Sequence, residues 1–385
     1  MSGPYILLSF FKEVPMPGKT QRSSNLELLR ILCMLLIIGD HLTGQGGIAD
    51  YTTLPSSFAF CLIGCGSRIA CSVFILIGGW FLCEQPYKTR RPLSLWLSLW
   101  LYTVPVTLLC RLAGLDVSLG ALRWAAFPAS TRQLWFISDY LLLLLCVPLL
   151  NRVLRGLPRT AHRGLLAVLA VPMILYPTLF GENGIVSDTA WMFLYEYLLA
   201  AYLRRYPENR LARLLQNRAA ALALGLGLPL VNTAIRAVLE TRGLTDGKAF
   251  QYVAYYRTAL GALPNLLAAL ALFYLFKNLD LGCVRWVNAL SGTTLGVYIL
   301  HQVPAFRNFL WNGLLQAQAH HGSVVYTLFA IFAVFFGCAA VDAVRTRLVM
   351  RPLENTRLFT ALCEKGDALA AKITAAVRTP GRAVR

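Results

Sequence analysis

Two histidines far apart in the chain each close an apolar run. His41 ends "LLIIGDH" (35–41), and His301 ends "GVYILH" (296–301). A neutral imidazole, with a pKa near ~6.5, can take a proton from a hydroxyl as that oxygen forms a new bond. It can also carry a transferred group covalently, and spacing alone leaves both routes open. Four more ionisable residues sit in or beside apolar runs: Asp40, Arg68 in "SRIACSVFILIGGWFL", Asp139 in "QLWFISDY" and Glu196 in "WMFLYEY". A charge at mid-membrane costs about 2.5–3.5 kcal/mol and usually faces a cavity or a partner. Neighbouring residues on a helix point to different sides, so Asp40 does not orient His41. The orienting group is expected from another helix, with Asp139 or Glu196 as the choices. Arg257 is a further candidate partner for a buried acid. The plainer alternative is that each charge snorkels or pairs at headgroup level.

The elements that must hold these residues are membrane helices. Of 385 residues, 57% are hydrophobic and 14% charged. A soluble domain carries about 25% charged residues. Several runs reach the ~17–25 apolar residues that a span requires, and none alternates as a membrane strand would. We expect an all-α transmembrane bundle of about ten spans, near 24–42, 67–83, 93–111, 133–150, 164–180, 190–203, 219–240, 256–276, 286–303 and 322–342. Residues 54–66 read as a half-helix at the interface.

The net charge of +18 follows the positive-inside rule and not nucleic-acid binding. With the N-terminus inside, 26 of the 36 Lys and Arg fall in cytoplasmic segments. Both termini are therefore expected in the cytoplasm of a multi-pass plasma-membrane protein. The units are a tail over 1–23, a transmembrane unit over 24–342 and a basic tail over 343–385. The ten cysteines lie mostly in apolar segments and read as small buried thiols, not metal ligands. In this topology Asp40, His41, Arg68, Asp139, Glu196 and His301 share one depth near the external face. Lys88, Arg90 and Arg91 lie inside, after the second span. Glu27 and Arg30, three residues apart at the inner end of the first helix, can form a surface pair.

Four blocks resemble the acyltransferase 3 family of integral-membrane acyltransferases: "NLELLRILCMLLIIGDH", "SRIACSVFILIGGWFL", "LWFISDYLLLLLCVPLLN" and "SGTTLGVYILHQVP". They occur in the family's order. The chain departs from the pattern in three places. Gly78-Gly79 stands where Ser-Gly is usual, Asp40 precedes the first-helix histidine, and Lys88-x-x-Arg91 replaces R-x-x-R.

The resemblance implies transfer of an acyl group, most often acetyl, from cytoplasmic acyl-CoA to a hydroxyl of an external glycan, with no bound cofactor. It lands on His41, read here as the catalytic histidine, and on His301; Asp139 and Glu196 are placed at the same site by depth, and Arg68 and Trp135 are taken as substrate contacts. Lys88, Arg90 and Arg91 are of the type that binds the phosphates of coenzyme A. Arg30 is a donor-side or structural candidate. A transporter or flippase is the rival reading, but no internal repeat of the transporter kind is visible.

Overall fold

The computed structural model describes residues 24–182 and 189–377. The 1–23 tail and the last eight residues of the basic tail lie outside the described residues. The helices in chain order are α1 (Asn25–Gln45), α2 (Leu54–Ile63), α3 (Ser67–Leu82), α4 (Arg90–Leu112), α5 (Leu119–Ala126) and α6 (Trp135–Gly156). Then come α7 (Arg159–Ala170), α8 (Tyr176–Phe180), α9 (Thr189–Arg205), α10 (Arg210–Gln216), α11 (Arg218–Leu222) and α12 (Leu228–Thr241). The remainder are α13 (Lys248–Thr258), α14 (Leu263–Lys277), α15 (Arg285–Ser291), α16 (Thr294–Gln302), α17 (Pro304–Asn308), α18 (Val324–Arg345), α19 (Arg351–Glu354) and α20 (Arg357–Ala376). No strand occurs among the described residues.

All ten expected spans coincide with helical segments. By length and composition, seven helical stretches can cross a bilayer. α1, α9 and the α15–α16 pair complete the predicted set without meeting that description. The fifth and seventh segments are each joined by a π-helical turn, at Val171–Leu175 and Ala223–Gly227. Pro172 and Pro177 flank or enter the first, and Pro229 follows the second. Proline removes a backbone donor, and local widening of the helix relieves the clash.

The expected span 256–276 lies within the apolar stretch Lys248–Lys277, which is broken in its middle. Pro264 starts α14 afresh, and residues 259–262 separate it from α13. Arg257 therefore lies at the end of α13, next to the break. The 286–303 segment is likewise two helices, parted at Gly292–Thr293.

α3 is the centre of the bundle, packed against α1, α9 and α14. Gly79 lets α9 approach closely, since a Cβ there would sit 3.0 Å from Ala200 Cβ. Small residues at helix contacts are how bundles gain packing energy where lipid supplies no hydrophobic drive. Exposed Leu109, Leu145, Val168, Val231 and Phe329 cover the outer faces of α4, α6, α7, α12 and α18. That distribution is expected where the outside is hydrocarbon.

One joint positions the site. At the start of α1, the Ser24 N–H donates to Gly282 O (2.8 Å), and Ser24 Oγ accepts from the Val284 N–H (2.7 Å). The side chain of Asn25 accepts from the Leu281 N–H at 3.1 Å. The N-terminal ends of α1 and α15 are thereby fastened together.

Candidate active site

α1 presents Glu27, Arg30, Met34, Ile37 and His41 at steps of three and four, which places them on one helical face. The first four line a cavity of about 290 Å³ within the bundle. On the opposite wall Ser291, Thr294, Leu295 and Tyr298 line the same cavity, and the next turn of α16 carries His301. Two stripes from distant parts of the chain thus climb one cavity and end on histidines.

The histidines meet. His41 Nδ1 lies 2.9 Å from His301 Nε2, and His301 Nδ1 lies 2.6 Å from Val297 O. A carbonyl oxygen can only accept, so His301 Nδ1 carries a proton. In a neutral imidazole the other nitrogen is then an acceptor, so His301 Nε2 accepts from the Nδ1–H of His41. His41 is left with its lone pair on Nε2. His301 is fully buried, whereas His41 is partly exposed. Tyr298 lies beside both rings, with centroids 6.4 Å from His41 and 6.1 Å from His301. One turn further out, Gln45 Oε1 accepts from Gln302 Nε2 (3.2 Å) and from Trp311 Nε1 (3.3 Å).

The partner of His41 is therefore His301, and neither expected carboxylate takes that place. Asp139 accepts from Arg132 Nη2 at 2.9 Å and from the Thr189 hydroxyl. Arg132 does this from a left-handed backbone, φ 49°, a conformation uncommon outside glycine. Glu196 is 0% exposed, and among the described residues neither of its carboxylate oxygens makes a hydrogen bond of normal geometry. Asp40 turns to the other side of α1 and pairs with Arg257 Nη2 at 2.6 Å. Arg68 stacks its guanidinium 4.8 Å from the Trp135 ring.

Near the N-terminal end of α1 a second cavity, about 600 Å³, opens against the first. Its basic lining is Arg30, Arg91 and Lys277. Glu27 and Arg30 form no surface pair. Glu27 is 8% exposed, holds Arg30 Nη1 with both oxygens at 2.9 Å and accepts from Ser291 Oγ at 2.5 Å. Ridges of α15 cover it, which the spacing on α1 could not reveal.

Of the inner trio, Arg91 lines this cavity. Arg90 pairs with Glu354 at 2.6 Å and lies over Phe359 of α20, while Lys88 lines neither cavity. Lys277, 5.4 Å from the Trp80 ring centre, escaped the sequence reading because it looked like any basic residue closing a span. Tyr298 was within reach of it, three residues before His301 on the same face.

No curated protein and no solved structure matches the chain. The sequence model of the acyltransferase 3 family, described as an acyltransferase domain, matches residues 23–343. That match runs from the joint at Ser24 to the end of α18 and takes in both histidines, so the chain belongs to the acyltransferase 3 family and is a multi-pass membrane acyltransferase.

Proposed function

We propose that the protein moves an acyl group, acetyl in the simplest case, from cytoplasmic acyl-CoA to a hydroxyl of a glycan or related acceptor outside the plasma membrane. Both termini are cytoplasmic in this reading, in line with the distribution of Lys and Arg. The observation that carries it is the convergence of the α1 and α15–α16 stripes on a histidine pair whose hydrogen bonds leave His41 Nε2 free to act as a base.

The donor enters from the inner cavity. Arg91 and Lys277 are suited to its phosphates there, and Arg30 stands between the two cavities. The thioester arm follows the upper cavity, which ends one turn below His41. His41 Nε2 takes the proton of the acceptor hydroxyl as its oxygen attacks the thioester carbonyl. Arg68 supplies positive charge to the oxyanion that forms. As the carbon–sulfur bond breaks, the imidazolium returns the proton to the departing sulfur, giving the ester and free coenzyme A. His301 supports the charged imidazole by accepting from its Nδ1–H.

The test uses isotope-labelled acetyl-CoA supplied to the cytoplasmic face of membrane vesicles, with mass analysis of the surface-glycan fraction. Loss of a general base costs about 10²–10⁴-fold in rate. The His41→Ala variant should fall by that much at equal levels of folded protein. Retention of more than about a tenth of the rate removes His41 from the chemistry, given that range.

A further inference from the structure

The two cavities meet at four shared residues: Glu27 and Arg30 on one wall, Gly78 and Tyr140 on the other. Gly78 lies on α3 where the helix lines both cavities. A Cβ at this position would sit 2.9 Å from the Tyr140 hydroxyl oxygen. Tyr140 therefore folds its hydroxyl against bare α3 backbone, and the space it leaves is the opening between the cavities. A bulky, branched side chain at 78 would press on the Tyr140 hydroxyl and narrow that opening.

Tyr140 has little freedom to escape in another direction. Its ring stacks on Phe136, one turn above, with centroids 6.2 Å apart and planes 27° apart. Phe136 meets Tyr298 edge-on at 5.8 Å, and Tyr298 adjoins His41. An aromatic wall thus runs without a break from the opening to the histidine pair. The Tyr140 hydroxyl has no hydrogen-bond partner among the described residues, and it is not sealed from the cavity.

We propose that Gly78 and Tyr140 form the selectivity neck of the donor channel. It passes a thin, unbranched thioester arm, and the Tyr140 hydroxyl donates a hydrogen bond to an amide carbonyl of that arm. The proposal rests on the acyl-CoA reading above. It assigns to an unusual Gly-Gly step a function that a hydroxyl-bearing residue would perform less openly. The arm is held at the neck with its phosphates on the inner side and its thioester above.

The experiment separates the arm from the nucleotide. Full-length protein in lipid nanodiscs is titrated with coenzyme A and with 3′-phosphoadenosine 5′-diphosphate, which keeps every nucleotide phosphate and lacks only the arm. Wild-type protein should bind coenzyme A more tightly than the armless nucleotide. Gly78→Val should remove that preference while leaving the affinity for the armless nucleotide unchanged. Tyr140→Phe keeps the ring and loses one hydrogen bond, so the preference should fall about 2–10-fold.

A folded Gly78→Val protein that keeps the full preference overturns the neck and leaves the acyl-CoA reading intact. Wild-type protein that binds neither compound overturns both. If Gly78→Val does not fold, Tyr140→Phe decides alone, and an unchanged preference there overturns the neck.

Discussion

His41 Nδ1 and His301 Nε2 are 2.9 Å apart, and the Val297 carbonyl fixes which of them donates. The side chain at 301 must therefore accept a hydrogen bond, and it need not be basic. His301→Gln should retain most activity because an amide oxygen can take the same proton. His301→Leu leaves the His41 Nδ1–H unpaired, a penalty of about 1–3 kcal/mol, or roughly 5–150-fold in rate. Acyl transfer by the two variants at equal folded protein checks the order. Equal loss in both would mean that His301 acts as a base in its own right.

The donor cations divide by structure and not by sequence order. Arg91 and Lys277 line the inner cavity, whereas Arg90 is engaged by Glu354 and Phe359. Arg91→Gln and Lys277→Gln should weaken coenzyme A binding, most strongly at low salt, where screening is least. Arg90→Gln should leave binding nearly intact and instead loosen α20, read as faster proteolysis of the C-terminal helix. Lys88→Gln should alter neither. Calorimetric titration at two salt concentrations, with timed digestion alongside, makes the comparison.

Arg257 joins three elements. Its Nη2 meets Asp40 at 2.6 Å and its Nε donates to Gly64 O at 3.2 Å, so α13 is tied to both α1 and α2–α3. Both side chains of the ion pair are about one-fifth exposed. The pair should thus lie between the ~1 kcal/mol of an exposed pair and the ~3–5 kcal/mol lost on breaking a buried one. A double-mutant cycle on Asp40→Asn and Arg257→Gln, read by thermal unfolding, should give a coupling in that interval. Asp40→Asn should be far milder in catalysis than His41→Ala, because its carboxylate serves α13 and not the imidazole.

The topology makes a separate prediction. In a background lacking native thiols, Cys at position 182 should label from outside, and Cys at position 155 or 210 only after permeabilisation. Labelling of 155 from outside in intact cells would invert the map and place the histidine pair on the wrong side for an external acceptor.

The sequence disclosed the helices because membrane spans write their length directly into apolar runs. It also disclosed that His41 and His301 belong at one level, because each closes an apolar run and the two runs have the same parity in the order of spans. It could not disclose their contact, which depends on how α1 and α16 are rotated about their own axes. Choosing Asp139 or Glu196 to orient His41 failed for the same reason. Depth put the carboxylates at the level of the histidines, but Asp139 faces Arg132 and Glu196 is buried away from the imidazole pair. Glu27 and Arg30 looked like a surface pair because helix periodicity gives a face without saying what covers it. The break before α14 was written in Pro264, yet the apolar run around it masked the punctuation.

The joint at Ser24 and the histidine contact brace the same two segments, which lie at opposite ends of the family domain. During synthesis α1 enters the membrane with Glu27, Arg30 and His41 while α15 and α16 do not yet exist. Until they do, Glu27 lacks the Ser291 hydroxyl and His41 lacks the His301 ring, so polar groups on one face of α1 go without these partners. The first helix is thus the least settled part of the nascent protein until residues near 302 have emerged. Membrane quality control would meet the polar face of α1 throughout that interval. A chain truncated before α16 should therefore be cleared by proteolysis much faster than one truncated just after it.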